Sequence, residues 1–168
     1  SVVFPNEPIV TVKAPVIEAQ LIETMLLLTI NHQSLIATKA NRIVRAAKDR
    51  TVLEFGARRA QGYDAAILGA RAAYIGGVHG SATALSDIEF NVPASGTMAH
   101  SFIQLYNDEY EAFSAYAKHN PDNTTLLVDT YNVLESGIPN AIRVAKEVLE
   151  PMGKRLKGVR LDLSLIHI

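Results

Sequence analysis

The sequence contains no cysteine and no tryptophan. The first absence removes Cys-ligated zinc, thiol nucleophiles and a disulfide scaffold together, and it suits a reducing compartment such as the cytoplasm. Long hydrophobic runs are also missing. The longest, Met25-Leu26-Leu27-Leu28-Thr29-Ile30, falls far short of the roughly 20 residues that span a bilayer, so no membrane partner is expected. Nor is there an excess of positive charge: Lys and Arg number 16 against 17 Asp and Glu, for a net charge of −1. A role built on neutralising nucleic-acid phosphates has no global field to draw on. Several standard motifs are absent too. There is no Gly-x-Gly-x-x-Gly, no Walker loop, no paired-His zinc helix and no Gly-x-Ser-x-Gly elbow, and Ser95, His100 and Asp129 form no supported hydrolase triad.

What remains is an ordinary globular composition. The chain has 168 residues, 48% of them hydrophobic and 20% charged, and a chain of this size buries roughly two thirds of its unfolded surface without staples. The ends are unusual. The chain starts Ser1-Val2-Val3-Phe4 and stops on the uncharged, β-prone stretch Leu163-Ser164-Leu165-Ile166-His167-Ile168. Native termini are more often polar or tied down, so the sequence reads as a piece of a longer protein.

Residues 2–16 read as extended, with β-branched positions punctuated by Pro5, Pro8 and Pro15, a density that suits edge strands. Residues 17–47 turn helical, with the polar triplet Asn31-His32-Gln33 as a place where the helix divides. These first 50 residues form one segment, and residues 51–162 repeat a strand-then-helix grammar. Strands are predicted at Val52–Phe55, Ile88–Val92, Thr124–Val128 and from Gly158 onward. Helices are predicted near 63–74, 98–105, 109–119 and 138–149. Alternation of this kind implies an α/β fold with a parallel sheet.

A functional-type side chain stands at the carboxyl end of each predicted strand: Phe55 and Arg58, then His100, then Asp129, then Arg160 with Asp162. Their spacing follows the ~30-residue βαβ unit, and in parallel α/β folds sites lie at strand carboxyl ends. Two arginines, a histidine and two carboxylates there would suit a polyanionic substrate, with Arg clamping phosphate. Each residue has a plainer reading beside the functional one. His100 could be a helix-start histidine bonded to backbone. Arg58 could be half of a solvated pair with Arg59, Asp129 a turn cap, and Phe55 a core residue.

The segments Glu54-Phe55-Gly56-Ala57-Arg58-Arg59-Ala60-Gln61-Gly62, Gly96-Thr97-Met98-Ala99-His100-Ser101-Phe102, Val128-Asp129-Thr130-Tyr131-Asn132-Val133-Leu134 and Lys157-Gly158-Val159-Arg160-Leu161-Asp162 resemble those of the nicotinate phosphoribosyltransferases. Asn6-Glu7-Pro8-Ile9 and Ile36-Ala37-Thr38-Lys39-Ala40 fit the same family, and the resemblance runs over residues 3–162. It implies an irregular (β/α) barrel that joins nicotinate to phosphoribosyl pyrophosphate with Mg²⁺ and coupled ATP hydrolysis, in NAD biosynthesis, in a cytoplasmic homodimer. The family's phosphorylatable histidine matches His100. Its pyridine-stacking aromatic matches Phe55 and its phosphate-binding arginine Arg58. Thr97 falls in the same substrate-binding set. The strand-end pair near ribose and base matches Arg160 and Asp162, and the acidic residue of the Asp-Thr-Tyr-Asn motif matches Asp129.

The resemblance also carries two departures. Family members continue the last motif as Asp-Ser-Gly-Asp, whereas Asp162 is followed here by Leu163, so residues 163–168 read as foreign to the family. The later Gly-rich phosphate loops are absent as well. A whole eight-stranded barrel takes ~250 residues, so this length corresponds to about half of one. The alternatives are a related nicotinamide- or quinolinate-using phosphoribosyltransferase, against which the Ala-Arg-Arg and Met-Ala-His-Ser wording speaks, and a non-catalytic phosphate-binding module.

Overall fold

The computed structural model describes residues 2–162; the tail at 163–168, expected to be foreign to the family, lies outside the described residues. The chain divides into two units, residues 1–95 and 96–168. Both mix helices with short parallel strands, giving an α/β fold.

In the first unit, residues 2–15 form no strand, contrary to the extended strands the β-branched residues suggest. Pro5, Pro8 and Pro15 cannot donate to a ladder, and the segment makes a turn closed by Glu7 N–H on the Phe4 carbonyl at 3.3 Å. Helix α1 follows at Val16–Ala47. It does not divide at Asn31-His32-Gln33: Gln33 Nε2 donates to the Thr29 carbonyl one turn back in the same helix at 3.4 Å, and its Oε1 accepts from Arg71 Nη1 at 3.0 Å.

Helix α2, Tyr63–Ile75, is rich in alanine and packs on the second half of α1 through Ala40, Ala73 and Val78, flanked by Ile36 and Val44. The approach is close at the end of α2, where a Cβ on Gly76 would stand 2.6 Å from the Ala37 carbonyl oxygen. Asn41 Nδ2 donates to the Gly76 carbonyl at 3.2 Å and closes the same corner.

Strands β1, Leu53–Glu54, and β2, Gly80–Ser81, pair in parallel with Leu53 opposite Gly80. The segment expected as the second strand is helical instead. Helix α3 runs Ala84–Phe90 and ends at Asn91 in the left-handed conformation, which Asn tolerates. The place beside β1 is taken by Gly80 and Ser81, and at Gly80 a side chain would not fit: a Cβ there would lie 2.5 Å from the Pro93 carbonyl oxygen.

In the second unit, α4 spans only His100–Ile103, shorter than the periodicity predicts. Helix α5, Glu109–His119, opens on Asp108, whose carboxylate accepts the Glu111 N–H at 2.8 Å as an N-cap. Strands β3, Thr125–Leu127, and β4, Gly158–Arg160, pair in parallel with Leu127 opposite Arg160. The crossover between them carries α6, Ile138–Val144, flanked by π-helical turns at Val133–Gly137 and Ala145–Leu149. Leu126, Leu127 and Val128 are fully buried against Ile103, Phe113, Val144 and Leu149. This continuous apolar run is what a strand covered on both faces requires.

Buried among these elements, Glu109 accepts a hydrogen bond from the Ser136 hydroxyl, joining α5 to the turn that precedes α6. On the surface of the same pair of helices, Tyr110 donates to Glu147 Oε2 at 2.7 Å and Arg143 Nε to Oε1 at 3.0 Å. The Arg143 guanidinium also lies over the Tyr110 ring at 3.9 Å. The Tyr110 hydroxyl and then Arg143 hold the Glu147 carboxyl below its ordinary range, and the bond to Glu147 raises the Tyr110 hydroxyl.

Candidate functional site

The hydrophobic burial of β3 fixes where its polar end emerges. The ladder continues one bond past the strand, Val128 N–H donating to the Arg160 carbonyl at 3.1 Å, and the next residue is Asp129. Its Oδ2 accepts the Asp162 N–H at 2.6 Å, so a side chain takes over from the backbone in holding the two strand ends together. Asp129 Oδ1 is buried without a hydrogen-bond partner among the described residues.

From β4, Arg160 reaches in two directions. Nη1 donates to Thr97 Oγ1 at 2.7 Å and Nη2 to Asp162 Oδ2 at 2.9 Å. Asp162 Oδ2 is shared with His100, whose Nε2 lies 3.7 Å away. The other ring nitrogen of His100, Nδ1, is 3.1 Å from Thr130 Oγ1. The structure thus brings Thr97, Asp129, Arg160 and Asp162 into one hydrogen-bonded group at the carboxyl ends of β3 and β4, with His100 beside it, 3.7 Å from Asp162 and bonded to Thr130. The side chains of His100 and Asp162 are 40% and 33% exposed and that of Arg160 25%, which leaves the group open to a soluble ligand.

Phe55 and Arg58 belong to the first unit, on the loop that follows β1. Phe55 is 40% exposed, so the core reading of this residue is set aside. The loop is held by Glu54: Oε1 accepts the Gly56 N–H at 2.5 Å and Oε2 the hydroxyl of buried Ser81 at 2.6 Å. Ser81 Oγ in turn accepts the Thr83 N–H at 2.9 Å. Arg58 sits exposed in a 3₁₀ turn, Ala57–Arg59, on this clamped loop.

Reading the sequence for chemistry missed Glu54, Ser81 and Thr130. Glu54 and Thr130 each adjoin a residue already singled out, and that adjacency was the available signal. Ser81 is in a two-residue strand with no apolar pattern to mark it.

Among the described residues no set of three or more His, Asp or Glu gathers as metal ligands. The chemistry of Mg²⁺ does not need one, since it is held by one or two carboxylates together with substrate phosphates and water. The buried, unpartnered Asp129 Oδ1 is an acceptor of the kind such an ion uses, and the residues present fit it.

Fold and site define an α/β chain with a mixed cation and carboxylate group at the ends of parallel strands. No protein-family model matches the chain. Along nearly its whole length, however, it is homologous to the nicotinate phosphoribosyltransferases. It is 54% identical to "Nicotinate phosphoribosyltransferase" of Bacillus subtilis (strain 168) over 162 residues, covering 95% of this chain and 32% of that protein. It is 48% identical to "Nicotinate phosphoribosyltransferase pncB2" of Mycobacterium tuberculosis (strain CDC 1551 / Oshkosh), covering 96% of this chain and 34% of that one. The crystal structure of human nicotinic acid phosphoribosyltransferase superposes with a TM-score of 0.81 at 31% identity, over 90% of this chain and 39% of the human one. The chain therefore spans about a third of the length of the curated relatives it matches.

Proposed function

We propose that this chain is the segment of a nicotinate phosphoribosyltransferase that carries the phosphoribosyl-transfer residues, within an irregular (β/α) barrel of a cytoplasmic, homodimeric enzyme of NAD biosynthesis. The reaction joins nicotinate to phosphoribosyl pyrophosphate and is coupled to ATP hydrolysis. The observation that carries this reading is the hydrogen-bonded group of Thr97, Asp129, Arg160 and Asp162 with His100 3.7 Å from its Asp162 carboxylate, in a chain homologous to that family.

The chemistry sets what such a group has to do. The pyridine nitrogen attacks ribose C1 as the C1–O bond to pyrophosphate breaks, its electron pair leaving with the pyrophosphate. Positive charge builds on the sugar and negative charge on the leaving group, so positioning and electrostatics outweigh proton transfer. Arg160 and Arg58 bind phosphate oxygens, with Arg160 already aimed by Thr97 and Asp162. Asp162 favours the cationic sugar. Phe55 stacks on the pyridine ring. His100 takes up phosphate from ATP and links its cleavage to productive binding. Mg²⁺, when bound, neutralises the pyrophosphate, and Asp129 would hold it through Oδ1.

A second reading, a phosphate-binding segment without turnover, draws support from the Arg160 guanidinium, which is aimed at the open strand ends by Thr97 and Asp162. Titration calorimetry of the chain with phosphoribosyl pyrophosphate and Mg²⁺ tests both. Binding that weakens by about tenfold to 10²-fold in Arg160→Ala, the range for lost hydrogen bonds to a charged group, is the expected result. Equal binding by the variant contradicts the site, and binding without nicotinate mononucleotide in any longer form of the protein favours the second reading.

A further inference from the structure

His100 opens α4 and Thr130 follows β3, 30 residues later in sequence. The two nitrogens of the His100 ring meet different partners: Nδ1 stands 3.1 Å from the Thr130 hydroxyl oxygen, and Nε2 faces Asp162 Oδ2 at 3.7 Å. A neutral imidazole carries one N–H, and the partners of its nitrogens decide where that proton sits. A carboxylate only accepts. The proton is therefore favoured on Nε2, pointing at Asp162, and the lone pair on Nδ1. The opposite tautomer would set the Nε2 lone pair against the carboxylate oxygen. A hydroxyl donates as readily as it accepts, so Thr130 can supply the hydrogen that Nδ1 then requires.

Both partners are themselves anchored. Asp162 Oδ2 is bound by Arg160 Nη2 at 2.9 Å. Thr130 lies between Asp129, tied to the Asp162 N–H at 2.6 Å, and Asn132, whose Oδ1 accepts the Leu134 and Glu135 N–H groups at 3.0 Å. A side chain locked by a supporting shell of this kind holds its geometry better than one on a free loop.

We propose that Thr130 is a positioning residue that donates to Nδ1 and so fixes His100 in the Nε2–H tautomer, with its ring turned toward Asp162. The proposal rests on the reading of His100 as the phosphate-accepting histidine: Nδ1 is then the one nitrogen with a lone pair, and the Thr130 hydroxyl holds it in reserve and has to turn away before phosphate is taken up.

Long-range ¹H–¹⁵N spectra of the ¹⁵N-labelled chain test it at a pH where His100 is neutral, with His100→Gln identifying the resonances. Nε2 is expected to read as pyrrole-type and Nδ1 as pyridine-type, and Thr130→Val to collapse the separation between the two. Thr130→Ser, which keeps the hydroxyl, is expected to preserve it. Averaged nitrogens in the unmodified chain, an unchanged spectrum in Thr130→Val, or averaging in Thr130→Ser each overturn the proposal. Should Thr130→Val not fold, the unmodified chain and Thr130→Ser decide the matter. Phosphate uptake from ATP by His100 is scored separately. A fixed tautomer without uptake contradicts the proposed function and leaves the role of Thr130 in place, whereas uptake with averaged nitrogens overturns Thr130 alone.

Discussion

Asp129 accepts the backbone N–H of Asp162 through Oδ2 at 2.6 Å, and this one bond joins the carboxyl ends of β3 and β4 where the ladder between them stops. It also leaves Oδ1 of the same carboxylate buried and, among the described residues, without a partner. One oxygen is structural and the other is available, so the two functions of the residue separate by substitution.

Asp129→Ala is expected to lower stability by about 1–3 kcal/mol, the range for a lost hydrogen bond to a charged group. Asp129→Asn keeps an acceptor for the Asp162 N–H and is expected to unfold within about 1 kcal/mol of the unmodified chain in urea. The same Asn variant removes the charge at Oδ1 and is expected to weaken Mg²⁺-dependent binding of phosphoribosyl pyrophosphate at least tenfold, about 1.4 kcal/mol. Calorimetry with and without Mg²⁺ measures that loss, and equal affinities would show that Oδ1 holds no ion.

Gly137 closes the turn that precedes α6, and a Cβ there would overlap the Val128 carbonyl. The neighbour is backbone of a fully buried segment, so it has no room to give. Gly137→Ala is expected to cost about 1–3 kcal/mol, as overpacking does, and to appear as a lower urea midpoint at unchanged slope.

Glu147 gives a pH dependence of defined sign. The Tyr110 hydroxyl and Arg143 hold its folded-state carboxyl below the ordinary value, so the unfolded chain takes up this proton first as pH falls. The stabilisation is complete above the ordinary glutamate range and is lost as pH drops through the depressed folded value. The pair is exposed and its contribution small. Melting temperatures of the unmodified chain and Glu147→Gln are expected to differ at neutral pH and to converge in acid; a constant gap would remove the pair as its cause.

Much of the second unit was legible in the sequence because its signals are strong. The apolar run Leu126–Val128, the helix near 109–119 and the strand at Gly158 each have one reading, and the alternation of elements points to parallel pairing, which β3 and β4 show. The first unit was harder. Val2, Val3, Ile9 and Val10 have strand propensity, but the prolines between them leave too few donors for a ladder. Ile88 and Phe90 look like strand residues and sit in a helix, while the strand that pairs with β1 consists of a glycine and a serine. Propensity cannot mark a strand whose essential feature is the lack of a side chain.

For the site, Asp129, Arg160 and Asp162 were legible through strand-end spacing, whereas the strand expected ahead of His100 is helix α3, which leaves family resemblance as the signal for His100 and Thr97. Glu54 and Thr130 were not, because each acts through hydrogen bonds across 27 and 30 residues respectively, and nothing in the sequence pairs those positions.

Under the proposed function, His100 would couple ATP to nicotinate phosphoribosylation in the whole enzyme. The direct measurement places residues 1–162 of this chain in the matching third of the Bacillus subtilis relative and follows nicotinate mononucleotide formation with and without ATP. The chimera is expected to turn over faster with ATP, and His100→Ala in the same chimera to lose that stimulation. ATP-stimulated turnover that persists unchanged in His100→Ala would contradict the account.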